Sequence, residues 1–210
     1  MSGPVRAADR GRFIAFEGGE GCGKSTQARL LADRLDAVLT REPGGTEVGA
    51  QLRAILLDPG TVGLVPRAEA LLMVADRAQH VAQVVAPPLA AGRHVVTDRF
   101  AGSSMAYQGY GRGLDVDELR QLSEWAADGV WPDLVVLLEV DPEVAGLRLG
   151  RELDRFEQEE AAFHRRVTAG FRALADADPH RWAVVDGSGT IGQVADRVGE
   201  VVAQRLQLGR

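Results

Sequence analysis

Of the 24 basic residues in this chain of 210, only Lys24 is a lysine, and it closes the glycine-rich run Gly18-Gly-Glu-Gly-Cys-Gly-Lys24. A compact ammonium enters tight sites that the broad fork of arginine does not. With Ser25 and Thr26 the run reads G-x-x-x-x-G-K-[ST], a pattern whose glycines let backbone N–H groups turn inward around phosphate. A helix starting there adds its positive N-terminal end. Lys24 is then placed to reach the β- and γ-phosphates of a nucleoside triphosphate, and the Ser25 hydroxyl to ligate Mg²⁺. Cys22 lies inside the loop, where a helix N-terminus favours a thiolate. It is either a reactive thiol or a small residue at a permissive position.

Other stretches carry residues suited to anion chemistry. Asp98-Arg99 ends a β-rich segment, the place where open α/β sheets bind ligands. An aspartate there can hold Mg²⁺ or its water shell, and the adjacent arginine can clamp phosphate oxygens; a structural ion pair is the plainer alternative. Arg41-Glu-Pro-Gly-Gly forces a turn and is a ligand loop or only a connector. Ser103, Ser104, Tyr107 and Gln108 fall on one or two helical turns, with Ser104 and Tyr107 able to share a face. Arg148, Arg151 and Arg155 stand among acidic residues as a closing lid or a solvated face. Glu139 and Asp141 end an apolar run, as a carboxylate orienting magnesium through water or as a helix start.

The elements that must position these residues alternate short β-rich runs with longer amphipathic segments, which predicts an α/β fold. Strands are expected at Arg12–Glu17, Ala37–Arg41, His94–Asp98, Leu134–Val140 and Trp182–Asp186. Leu134-Val-Val-Leu-Leu138 is continuously apolar, as a strand covered on both faces should be. Helices are expected at Lys24–Leu35, Glu47–Leu57, Arg67–Ala91, Asp115–Ala127, Pro142–Leu149, Glu157–Ala177 and Ile191–Leu206. Asp115 and Thr190 suit N-caps and Pro142 a first helical turn. Together these give a five-stranded, mostly parallel sheet with helices on both faces. No linker or repeat divides the chain. The expected organisation is a short flexible extension over 1–11 and one domain over 12–210, with a lid at about 148–157.

Composition narrows the function classes. A net charge of −6 argues against a broad nucleic-acid footprint, although a small anion needs only a local cluster of donors. One cysteine excludes an intrachain disulfide and a multi-cysteine metal site. The four histidines are scattered without ligand spacing and read as ordinary surface or partly buried polar residues. No apolar run approaches the roughly 18 residues of a membrane helix, and Met1 to Arg12 is polar, unlike a secretory signal. A cytoplasmic location is expected.

Phe16-Glu-Gly-Gly-Glu-Gly-Cys-Gly-Lys-Ser-Thr26, Thr40-Arg-Glu-Pro-Gly-Gly-Thr46, Asp98-Arg-Phe100 with Ser103-Ser-Met-Ala-Tyr-Gln108, and Asp154-Arg-Phe-Glu157 occur in this order. The ordered set resembles the thymidylate kinases, in the bacterial subtype with a glutamate in the phosphate loop and arginines in the lid. The resemblance implies a P-loop nucleoside monophosphate kinase-like fold and direct in-line transfer of the γ-phosphate of MgATP to dTMP, giving dTDP and ADP. It implies an ATP site over Gly18, Gly19, Glu20, Gly21, Cys22, Gly23, Lys24, Ser25 and Thr26, with Asp186-Gly187-Ser188 near adenine. Mg²⁺ would sit by Ser25 and Asp98. Arg99 falls between the donor and acceptor phosphates, with Ser103 nearby; Arg41 approaches the dTMP phosphate and Pro43 the base. Ser104 or Gln108 approaches thymine, Tyr107 the sugar and Glu20 its 3′-hydroxyl. Met73 stands where the family often carries a stacking aromatic, and Arg77 meets the base edge. Lys24, Arg99 and a lid arginine, Arg155 before Arg151, would carry catalysis. A homodimer through the long helices is also implied, with no nucleic-acid or membrane partner. The competing readings are a kinase for another nucleotide or nucleoside, and a P-loop switch or ATPase that drives a macromolecule.

Overall fold

The structure, a computed structural model, describes residues 10–141, 144–145 and 154–208. Most of the expected 1–11 extension, all but residues 144–145 of the helix expected over 142–149, and Arg148 and Arg151 of the lid lie outside the described residues. In chain order the elements are β1 (Phe13–Glu17), α1 (Lys24–Leu35), β2 (Val38–Arg41), α2 (Glu47–Leu57), α3 (Pro66–His80), α4 (Ala86–Ala90) and β3 (Val95–Asp98). They continue with α5 (Ala101–Ser104), α6 (Val116–Ala127), β4 (Leu134–Glu139), α7 (Ala161–Ala177), β5 (Trp182–Asp186) and α8 (Ile191–Leu206). The five strands run parallel in the order β2-β3-β1-β4-β5.

β1 lies at the centre, and all five of its residues are buried. Strand side chains alternate between faces, so Phe13 and Ala15 join a core with α3, α6 and α7. Ile14 and Phe16 join the opposite core, built with α1 and α8. The register aligns Phe16 and Arg41 with Asp98, and Glu139 with Asp186. Arg41, Asp98, Glu139 and Asp186 are therefore brought to one carboxyl edge, although they are far apart in sequence.

The ends of α1, α2 and α8 coincide with the expected ones. Thr46 caps α2 by accepting from the Gly49 N–H, and Thr190 forms a reciprocal capping box with Gln193. Asp115 caps α6 at two N–H groups. Two expectations change. The segment expected as one helix over Arg67–Ala91 passes through a π-helical turn at Val81–Val85 before α4. Pro87 and Pro88 supply no N–H to the preceding turn, so the regular ladder cannot continue through them. The helix expected from Glu157 starts at Ala161. Asp154 accepts from the Phe156 and Glu157 N–H groups, while Glu157 accepts from Asp154 N; this side-chain turn competes with helix. A second π-helical stretch, Met105–Gly111, follows α5 and carries Tyr107 and Gln108. The Glu42–Pro43 peptide is cis.

Candidate active site

A cavity of about 430 Å³ opens at the carboxyl edge of the sheet. At one end lie Glu20, Gly21, Gly23, Lys24, Ser25 and Thr26, and at the other Met73, Arg77, Ser104 and Gln108. Arg41, Arg53 and Arg99 also line it.

The phosphate loop turns through left-handed backbone. Gly23, at φ 97°, precedes the first residue of α1, a geometry that glycine adopts without strain. At Gly18 a Cβ would stand 2.5 Å from the Leu138 carbonyl oxygen, so that position admits no side chain. Lys24 is folded back over the loop, its Nζ donating to the Gly19 carbonyl at 2.6 Å. Cys22 is buried among Ile14, Phe16 and other residues of the α1–α8 core and does not line the cavity; its surroundings match the small-residue reading of this position. Lys24 Nζ lies 3.6 Å from its sulfur.

Asp98 and Ser25 meet across the edge, with Ser25 Oγ donating to Asp98 Oδ2 at 2.5 Å. The other oxygen, Asp98 Oδ1, is buried without a protein hydrogen-bond partner. A hydroxyl beside a carboxylate with an unused oxygen fits a hard, oxygen-seeking cation such as Mg²⁺. No cluster of three His, Cys, Asp or Glu side chains suited to a metal occurs among the described residues, so phosphate oxygens and water would complete such a shell.

Arg99 occupies the middle of the site at φ 72°, a left-handed conformation that costs a non-glycine residue about 1 kcal/mol or more. Its N–H donates to Phe16 O, and its carbonyl accepts from Thr97 Oγ1. The guanidinium donates to Gly18 O (3.1 Å), Ser103 Oγ (3.0 Å), Tyr107 Oη (3.3 Å) and Glu20. Burial alone would pull the pKa of this guanidinium down, but Glu20 leads the anionic neighbours that raise it well above the ordinary value. Glu20 also accepts from the Tyr107 hydroxyl at 2.8 Å. The tyrosine ring is held edge-on by Phe156, Phe163 and Phe171. Beneath Arg99, Glu17 is fully buried and accepts from Phe100 N, Ser103 N and Ser103 Oγ. Desolvation pushes its carboxyl up to about 7, with Ser103 and Arg99 opposing.

The far wall is a buried charge network. Arg77, 1% exposed, pairs with Glu42 at 2.9 Å and donates to Ser104 Oγ and Ser123 Oγ. Its guanidinium also sits 5.1 Å above the Phe100 ring. Glu42 bonds His80 Nδ1, whose Nε2 meets Thr40 Oγ1; His80 is thus a fully buried link, more enclosed than its sequence suggested. Asp76 accepts from Gly44 N, and its carboxyl is raised to about 6 by burial and by nearby Glu42.

Pro43 lines the same wall, and Arg53 Nη1 donates to its carbonyl at 2.8 Å. Arg53 was not singled out by sequence, since one arginine of an amphipathic helix looks like another. Burial, then Arg41 and Arg99, lower its pKa, a sign that the three cations crowd one anion site. Asp76, on the face of α3, gave no signal for the same reason, whereas Glu42, Asp154 and Phe156 stand inside motifs noted in the sequence but were given no role there.

Some expected site residues lie elsewhere. Arg155 does not line the cavity; its guanidinium donates to Glu69 (2.7 Å) and the Leu56 carbonyl (2.8 Å) and rests on Phe156. Glu139 is paired with Arg172 on α7. Asp186, Gly187 and Ser188 form a turn beside the phosphate loop but outside the cavity, with Asp186 and Ser188 exposed and Gly187 buried: Gly187 N donates to Glu139 O, and a Cβ on Gly187 would stand 3.3 Å from Cys22 O. Ser188 hydrogen bonds, with help from Arg197, lower the Asp186 pKa.

The thymidylate kinase family model matches residues 16–198. A thymidylate kinase of a Synechococcus strain is 51% identical over 93% of this chain and 96% of its own. That of Leifsonia xyli is 50% identical over 90% and 92%. The crystal structure of thymidylate kinase from Ehrlichia chaffeensis superposes with a TM-score of 0.78 at 33% identity, covering 92% of this chain and 99% of that one.

Proposed function

The chain belongs to the thymidylate kinase family and phosphorylates dTMP to dTDP with ATP as phosphate donor, and we propose that the edge cavity holds both phosphates during transfer. One observation carries this reading: the phosphate loop, three arginines and an amide-bearing, partly apolar end line a single cavity. Gly18 to Thr26 cradles the ATP phosphates, with Lys24 on the β- and γ-oxygens, and the Asp186-Gly187-Ser188 turn lies against adenine. Ser25 and Asp98 are the residues that would hold Mg²⁺. When bound, the ion supplies charge neutralisation at the phosphates.

Arg41 and Arg53 receive the dTMP phosphate, and Arg99 bridges acceptor and γ-phosphate. An acceptor oxygen attacks the γ-phosphorus as the bond to the ADP oxygen breaks. That oxygen is already anionic, so no strong base is needed, and the protein contributes positioning and electrostatics. Glu20 accepts from the 3′-hydroxyl, and the Tyr107 ring fills the space into which a 2′-hydroxyl would project. Met73 covers the base by dispersion and sulfur contact, with Pro43, Arg77, Ser104 and Gln108 around it and Ser103 steadying Arg99. The unit is one kinase domain over 12–210, with a lid at about 148–157.

Of the lid arginines, Arg155 lies among the described residues. Arg155, as placed on Glu69, acts as a positioning residue; a transition-state role requires it to exchange Glu69 for the phosphoryl group. Arg155→Ala separates the two. A kcat loss above about 100-fold with little change in dTMP KM means the exchange occurs, whereas a change mainly in KM leaves the role to Arg151.

We also assign a homodimer built on α3 and the adjacent α6, which expose Leu71 (56%) and Trp125 (78%), and a cytoplasmic location. No described helix is long and apolar enough to cross a membrane. The deciding assay is ADP release across dTMP, dUMP, dCMP, dAMP, dGMP, UMP and no acceptor. Strong turnover with dTMP and little without acceptor is expected. Comparable turnover with dCMP would remove the base assignment, and fast acceptor-free hydrolysis would remove the closed two-phosphate geometry.

A further inference from the structure

Glu69 is fully buried on α3, behind the base end of the cavity and not lining it. Its Oε1 accepts from Gln108 Nε2 at 2.8 Å and from Arg112 Nε at 3.3 Å. Its Oε2 accepts from Arg155 at 2.7 Å and Arg112 at 3.2 Å. A carboxylate held between two guanidinium groups is an acceptor at both oxygens. The Gln108 amide must therefore turn its NH₂ group toward it, which settles an orientation that is otherwise ambiguous. Gln108 lines the cavity, and its remaining amide atom, Oε1, is buried with no protein partner. Such an orphan acceptor is unfavourable unless a ligand satisfies it.

We propose that Glu69 is a specificity-determining positioning residue: by locking the Gln108 amide it presents the cavity with an acceptor, which selects a pyrimidine carrying N–H at ring position 3. Thymine and uracil carry that hydrogen. Cytosine has a lone pair there, which would face the amide oxygen and leave both groups unpaired, and sites built on a buried hydrogen bond reject partners that lack it most strongly. The inference rests on the placement of the acceptor base beside Gln108.

The test is kcat/KM for dTMP and dCMP in the unmodified enzyme, Glu69→Gln, Gln108→Leu, the double variant and Arg112→Gln. A glutamine at position 69 can offer either an oxygen or an NH₂, so the Gln108 amide is released to turn over. The dTMP-to-dCMP preference should fall about tenfold or more in Glu69→Gln and in Gln108→Leu, with no further fall in the double variant. Arg112→Gln weakens the ion pairing on Glu69 but leaves the amide bond, so it should keep the preference. If Glu69→Gln lowers both substrates equally, or its effect multiplies that of Gln108→Leu, Glu69 is only structural and the proposal fails. If Gln108→Leu itself leaves the preference unchanged, the base placement fails first.

Discussion

The two ends of the cavity are built in opposite ways. The phosphate end is one contiguous stretch, Gly18 to Thr26, whose working groups are largely backbone N–H and one lysine, backed by the apolar core of α1 and α8. The base end draws Glu42, Glu69, Arg77, Ser104 and Gln108 from distant segments and packs these buried polar and charged groups against one another. A backbone cradle depends on local conformation, so its chemistry is separable from stability. A buried charge network cannot lose one member without stranding another. Arg99 and Glu17 stand at the seam between the two.

The sharpest break in the comparison is a pair of substitutions. Lys24→Met should lower kcat about a thousandfold while shifting the melting temperature by only a few degrees, as steady-state ADP formation and thermal denaturation would measure. Arg77→Met should do the reverse in emphasis. With Glu42 left buried beside Asp76, stability should fall by about 3 kcal/mol or more, read from urea midpoints. A stable Arg77→Met protein would contradict the network picture.

The seam carries a smaller, pH-dependent effect. Burial raises the Glu17 carboxyl from 4.5 to about 7 in the folded chain. A raised acid binds its proton more tightly when folded, so its contribution is complete below about 4.5 and is lost as pH climbs through about 7. Stability should therefore decline over that window by up to about 3 kcal/mol, and Glu17→Gln should flatten the decline. An unchanged slope in the variant would assign the titration to another group, Asp76 first.

The smallest effect should come from Cys22. Its side chain is 3% exposed, so native protein should keep activity through treatment with a bulky thiol reagent. Cys22→Ala should cost about 1 kcal/mol in stability and change kcat less than twofold. Rapid inactivation, blocked by ATP, would show that the loop opens.

How much of this was legible in the sequence follows the same division. The phosphate loop, the ends of α1, α2 and α8, and the limits of β5 follow from local patterns: glycines, caps and apolar runs act over a few residues. Arg53 and Glu69 carried no such signal, because an arginine or glutamate on a helix face looks alike whether it meets solvent or a buried partner. Arg155 illustrates the reverse. Its motif marked it for catalysis, but its guanidinium lies on Glu69 and the Leu56 carbonyl.

By itself the sequence determined the α/β alternation, the phosphate cradle and the ordered motifs that place this chain among the thymidylate kinases. Only the tertiary structure decided which charges face each other: the three arginines around one anion site, the His80–Glu42–Arg77 wall, and the carboxylate that orients Gln108. Local propensities act over neighbouring residues and are written along the chain, whereas ion pairs and amide orientation depend on packing between segments that meet only when the parallel sheet aligns its carboxyl ends.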